Sequence, residues 1–180
     1  RLDEDGEMMI RGPYVMVGYV AGDGSSGLDE EGWLRTGDLM DFDPAGYFRI
    51  VDRKKDLYKN LKGESIAPQR VENLFRDFES VKRVFLVGDH REYNTALIVP
   101  NPEATNHHLD AMSTIERRDH FRSLVVSVNQ FLAPFERIVD FAVLERDFDE
   151  AKGELTLKGT FRRRKIADGF EDTIASLYRR

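Results

Sequence analysis

Asp38, Arg53 and Lys158 are side chains whose types and surroundings invite a chemical reading. Asp38 follows Gly37 in the run Gly32-Trp33-Leu34-Arg35-Thr36-Gly37-Asp38-Leu39. A carboxylate there can accept from both hydroxyls of a diol. Taken alone, though, the position suits a turn residue better. Arg53 supplies a planar, permanently charged fork, and its alternative is a surface ion pair. It opens the basic cluster Arg53, Lys54, Lys55, Lys59 and Lys62, where Lys54 and Lys59 fit a solvated face equally well. Lys158 stands beside Gly159 and is, on its own terms, a loop cation. His90, His107, His108 and His120 show no metal-ligand spacing and read as surface or loop residues. Zero cysteines exclude disulfides, thiolate catalysis and cysteine-ligated zinc, and fit a reducing, cytoplasmic compartment.

The elements that must position these groups follow from periodicity and turn chemistry. Residues 7–20 alternate enough to read as a strand or hairpin broken at Gly12-Pro13. Residues 21–32, rich in Gly, Ser and Asp, read as a loop. Asp43-Pro44-Ala45-Gly46 carries a type I turn signal that joins two short strands. Pro68 suits the first turn of a helix, and Val71, Leu74, Phe75 and Phe78 continue it as a 3.6-residue stripe. Residues 81–87 and 95–99 read as strands flanking a turn at 88–94. Ser113 and Glu116 form a capping-box pattern before the amphipathic series Phe121, Leu124, Val125, Val128 and Phe131. Residues 141–144 read as a third strand, and Ile166, Phe170, Ile174 and Leu177 define a terminal helix. The fold class is therefore α+β. A small three-stranded sheet with helices, residues 53–180, is preceded by a strand-rich segment, residues 1–52.

Charge supports that division. Residues 1–52 carry 4 Lys/Arg against 12 Asp/Glu, a net −8, and residues 53–180 carry 23 against 21, a net +2. A hydrophobic content of 41% supports a folded core. No apolar run approaches the roughly 20 residues of a membrane span, although peripheral contact with a membrane stays open. The run Arg162-Arg163-Arg164-Lys165 does not argue for nucleic acid. The chain is acidic overall, Phe161 is the only interleaved aromatic residue, and the run opens a helix.

The Trp33–Asp38 run, followed by Gly46-Tyr47-Phe48-Arg49-Ile50-Val51-Asp52-Arg53-Lys54-Lys55-Asp56, resembles the nucleotide-and-hinge signature of the adenylate-forming (AMP-binding) enzymes. These include acyl-CoA synthetases, luciferases and peptide-synthetase adenylation domains. Asp52-Arg53-Lys54-Lys55-Asp56-Leu57, Ile66-Ala67-Pro68-Gln69-Arg70-Val71-Glu72, Thr95-Ala96-Leu97-Ile98-Val99-Pro100 and Leu132-Ala133-Pro134-Phe135-Glu136-Arg137-Ile138 are similar to its long-chain fatty acyl-CoA synthetase branch. The family's Ser/Thr/Gly-rich phosphate loop ending in Pro-Lys-Gly is not in this sequence. The expectation is thus the C-terminal third of a longer enzyme, with residues 1–52 the last strands of an N-terminal domain and residues 53–180 a lid.

The resemblance implies ATP, a fatty acid and coenzyme A as substrates, with Mg²⁺ held in the N-terminal part. It implies no nucleic-acid partner. The remainder of the N-terminal domain would be the lid's partner, and the 180-residue fragment alone would be inactive. It assigns Asp38 and Arg53 to the nucleotide ribose and Lys55 to the hinge. Lys62, Gly63 and Glu64 fall at the turn that approaches coenzyme A, where Leu61-Lys62 replaces the family's small residues. The family's catalytic lysine precedes the last helix. Counting back from Phe161-Arg162 puts Thr160 in its place, which leaves Lys158 as the nearest candidate and Lys152 as a more distant one. For the 162–165 run the resemblance adds a coenzyme A phosphate contact to the solvated-face reading. Two rivals remain open: a ligase that loads an acyl carrier protein or stops at the adenylate, and a non-catalytic interaction module derived from such a lid.

Overall fold

The computed structural model describes residues 1–17, 27–104 and 109–179. The chain divides into two compact units, Arg1–Leu57 and Tyr58–Arg180. The change of charge at Asp52/Arg53 falls a few residues before that boundary. The reason is local: Arg53 still pairs across a ladder, and the next residue, Lys54, is tied to Asp5 and Glu7.

The first unit is an antiparallel sheet of β1 (Glu7–Ile10), β2 (Leu34–Phe42) and β3 (Phe48–Arg53), in that order. The β2–β3 turn is the one its sequence announces. Gly46 N donates to Asp43 O at 2.9 Å, and the Asp43 carboxylate accepts from Ala45 N and Tyr47 N. Gly46 sits at φ +85°, a conformation other residues reach only with strain. Of the strand or hairpin expected over 7–20 and broken at Gly12-Pro13, the described residues contain the first strand and the break. That strand stops at Ile10, before a turn at Gly12-Pro13 in which Val15 N donates to Gly12 O. Residues 18–20 of that stretch, and 21–26 of the expected loop, lie outside the described residues. A single 3₁₀ turn, Lys54–Asp56, ends the unit.

The second unit opens with the short pair β4 (Tyr58–Lys59) and β5 (Ser65–Ile66), followed by α1 (Pro68–Asn73). Its main sheet is β6 (Val81–Val87), β7 (Asn94–Pro100) and β8 (Ile138–Val143), antiparallel between β6 and β7 and parallel between β7 and β8. The crossover contains α2 (Thr114–Asn129), and α3 (Arg163–Gly169) and α4 (Glu171–Tyr178) follow β8. Successive side chains of a strand point to opposite faces, and here they divide two cores. Val84, Leu86, Ala96 and Ile98 join Val71, Phe75, Phe121, Val125 and Val128. Phe85, Leu97 and Val99 join Leu155, Ile166, Ile174 and Leu177. Burial on both faces explains why β7 is almost continuously apolar.

Ser113 caps α2 in a full capping box with Glu116. Three helical readings changed in length. α1 ends at Asn73, and tighter turns carry Leu74, Phe75 and Phe78 onto the core. α2 ends at Asn129 because that side chain brackets the backbone of Ile138, which leaves Phe131 75% exposed. The terminal helix breaks at Phe170, which joins α3 to α4.

Candidate functional site

Asp38 and Arg53 form one rung of the β2–β3 ladder. Arg53 Nε lies 2.7 Å from Asp38 Oδ1, with side-chain exposures of 49% and 28%. Oδ2 of Asp38 and both terminal nitrogens of Arg53 have no further partner among the described residues. An exposed pair of this kind contributes little to stability. It leaves an acceptor and a donor fork side by side at the surface.

The backbone beside Asp38 is bent rather than extended, with Gly37 at φ +73°. Strand β1 holds the bend. Thr36 Oγ1 donates to Met8 O at 2.7 Å and accepts from Asp38 N at 3.2 Å. Gly37 N donates to Glu7 Oε1 at 3.0 Å. Glu7 is buried, and its Oε2 also receives Arg35 and Lys54, each at 3.1 Å. Burial pushes the Glu7 carboxyl up. The Lys54 ammonium, the Gly37 N–H and Arg35 outweigh that and hold it below the usual carboxylate range. Glu7 went unnoticed in the sequence. Its signal was an acid in phase with buried Met9 on a short strand.

Lys55 is exposed within the 3₁₀ turn Lys54–Asp56, just before the boundary between the units. Lys62, Gly63 and Glu64 occupy the β4–β5 turn. Buried Asn60 organises it: its Oδ1 accepts from Lys62 N and Glu64 N at 3.0 Å, and its Nδ2 donates to Glu64 Oε2 at 2.8 Å. Gly63 has φ +82° and open space where a Cβ would stand.

Lys158 is exposed on a turn closed by Thr156 N to Thr160 O at 2.9 Å and Gly159 N to Thr156 O at 2.8 Å. Gly159 sits at φ +74° with nothing near its missing Cβ. The Thr160 hydroxyl is 2.7 Å from that of Thr156, so Thr160 helps close the turn. Lys152 is exposed on the neighbouring turn.

His90 pairs with Asp89, and His120 bonds to Ser80 Oγ; His107 and His108 lie outside the described residues. Among the described residues no group of His, Asp and Glu could hold a metal ion, and no helix is long and apolar enough to cross a membrane.

Residues 55–180 match the family described as AMP-binding enzyme C-terminal domain. The chain belongs to this family. Over 191 residues it is 35% identical to a Mycobacterium tuberculosis protein provisionally named fatty-acid–CoA ligase fadD11, covering 99% of this chain and 34% of that protein. Over 102 residues it is 37% identical to human long-chain-fatty-acid–CoA ligase 6, covering 55% of this chain and 15% of the human protein. Among solved structures, the A domain of a carboxylic acid reductase from Segniliparus rugosus, in complex with AMP and a co-purified carboxylic acid, superposes with a TM-score of 0.76 at 25% identity. That match covers 96% of this chain and 28% of the reductase chain. The chain therefore spans about a third of the length of the mycobacterial relative. The fold is that of an adenylate-forming enzyme's C-terminal region, and relatives that include both ligases and a reductase leave the acid substrate unspecified.

Proposed function

We propose that this chain is the C-terminal part of an ATP-dependent long-chain fatty acid–CoA ligase. The observation that carries the reading is the Asp38–Arg53 rung: a half-open carboxylate and guanidinium, 2.7 Å apart, on adjacent strands. In the first step a fatty-acid carboxylate oxygen attacks the α-phosphorus of ATP, and the bond to pyrophosphate breaks. In the second, the coenzyme A thiolate attacks the acyl carbon, and AMP leaves. Neither step needs a protein nucleophile, so the protein's contribution is positioning and charge stabilisation.

Within that scheme Asp38 accepts from the ribose hydroxyls and Arg53 donates to the same ribose. Lys158 places a cation on the reacting oxygens, and its turn at Gly159 supports the reach this requires. The chain turns about Lys55 between the two steps. Gly63, with Lys62 and Glu64, lets the backbone approach coenzyme A, which the open space at Gly63 favours. Mg²⁺ ligands belong to other parts of the enzyme. A cytoplasmic location accords with the lack of cysteine.

Thr160 favours a second reading. It stands in the family's lysine position and is engaged with Thr156, as a non-catalytic interaction module derived from a lid would allow. Pyrophosphate exchange by the full-length protein separates the two. Exchange that depends on a long-chain fatty acid, followed by acyl-CoA formation when coenzyme A is added, is expected. No exchange with any fatty acid would leave the interaction module standing. Thioester formation on an acyl carrier protein alone would move the acceptor, not the reaction class.

A further inference from the structure

Glu7 has three donors converging on one buried carboxylate, and two of them come from the residues that flank the ribose pair. Gly37, whose N–H meets Oε1 at 3.0 Å, immediately precedes Asp38. Lys54, whose ammonium meets Oε2 at 3.1 Å, immediately follows Arg53. The third, Arg35, reaches Oε2 at 3.1 Å and also Asp3 at 2.8 Å. The two flanks need such a fixture. Asp38–Arg53 is the end rung of the β2–β3 pairing, and the register shifts between Leu39 and Met40 just inside it. On the Asp38 side the backbone is in the left-handed region at Gly37, so the strand does not propagate its own geometry through that residue. On the Arg53 side the strand gives way at once to a 3₁₀ turn. Beyond this rung β2 and β3 no longer pair with each other, so the placement of Gly37 and Lys54 relative to one another falls to β1.

We propose that Glu7 is a positioning residue for nucleotide binding. Its carboxylate bridges the Gly37 amide and the Lys54 ammonium, and so holds Asp38 and Arg53 at the spacing that receives a ribose diol. Glu7 is 4% exposed and belongs to β1, so it touches no ligand itself and acts only through its partners. The inference rests on the ribose reading of Asp38 and Arg53 given above.

The test is a double-mutant cycle in the full-length enzyme, read by pyrophosphate exchange. Glu7→Gln keeps an oxygen for Gly37 but turns an uncharged amide toward Lys54 and Arg35. It should raise the KM for ATP by about tenfold and leave the KM for fatty acid unchanged, as small displacements of binding groups do. In an Asp38→Ala background the same Glu7→Gln change should add little, because the group it positions is gone. A purely structural role would instead lower activity by the same factor in both backgrounds and raise both KM values. Lys54→Met removes one partner from a half-exposed position and guards against a Glu7 variant that does not fold. It should shift the KM for ATP in the same direction by a smaller factor. Full additivity in the cycle, or an unchanged KM for ATP in both Glu7→Gln and Lys54→Met, overturns the role of Glu7 while leaving the ribose pair intact. An unchanged KM for ATP in Asp38→Ala itself overturns the ribose reading, and the role of Glu7 falls with it.

Discussion

Asp38 shows how far a single residue can be read. Its type and its glycine neighbour fit a turn, and only the surrounding motif argued for a ligand. The structure supports the presentation: a bent backbone at Gly37 and one carboxylate oxygen without a partner among the described residues. Asp38→Ala in the full-length enzyme should weaken transition-state use of ATP by about 2–4 kcal/mol, the worth of a charge-assisted hydrogen-bonded pair. Steady-state kinetics in ATP measure it, and wild-type kcat/KM would remove Asp38 from the site. Lys158 poses the harder case. Lys158→Ala should slow adenylate formation by about 10²–10³-fold and spare thioester formation from synthetic acyl-adenylate, while Lys152→Ala does neither. Thr160→Lys should partly rescue it, since the turn pivots on an unobstructed Gly159. Full adenylation by Lys158→Ala sinks the assignment. What the sequence could not show was Glu7. A buried acid betrays itself only through the donors that reach it, and Gly37, Arg35 and Lys54 come from distant stretches of chain.

Elements were legible where local chemistry decides them. The Asp43–Gly46 turn and the capping box at Ser113 stand where composition puts them, because each is stabilised within a few residues, and the Val81–Val87 strand does so because its partner β7 follows across one short turn. Helix ends were not legible, because tertiary contacts decide them. Asn129 stops α2 by binding Ile138, and the Arg146 side chain stacks on Phe170 where α3 meets α4. The short turn Lys54–Asp56 is the element with the clearest functional test. Lys55→Pro fixes one φ angle and disfavours the helical conformation of Lys54. Thioester formation from acyl-adenylate should then fall much more than pyrophosphate exchange. Equal losses in both half-reactions would mean misfolding or a misplaced hinge.

At the scale of the molecule, stability in the second unit leans on charge placed inside it. Arg146 grips Glu154 with both terminal nitrogens, at 2.7 and 2.8 Å, and Glu154 is 3% exposed. The Arg146 guanidinium holds the Glu154 carboxyl below its ordinary value despite burial. A depressed carboxyl stabilises the fold above its ordinary pKa, near 4.5, and that contribution drains away as pH falls through the folded value. Arg146→Met strands the carboxylate. It should cost about 3 kcal/mol at pH 7, the low end for a broken buried pair because Arg146 is 39% exposed. The deficit should shrink as pH drops and the stranded carboxyl takes up a proton. Urea midpoints at several pH values test this, and a deficit independent of pH contradicts it. The mixed pairing of the second sheet has a further consequence, for the order of assembly. β6 and β7 meet across a short turn, whereas β8 pairs with β7 only after the whole crossover through α2 has closed. Nearby pairings form first because closing a long loop costs entropy before any contact repays it. Truncating Leu86 should therefore slow refolding, and truncating Phe141 should chiefly hasten unfolding. The strand that completes the sheet is then the one whose loss the chain feels first when it opens.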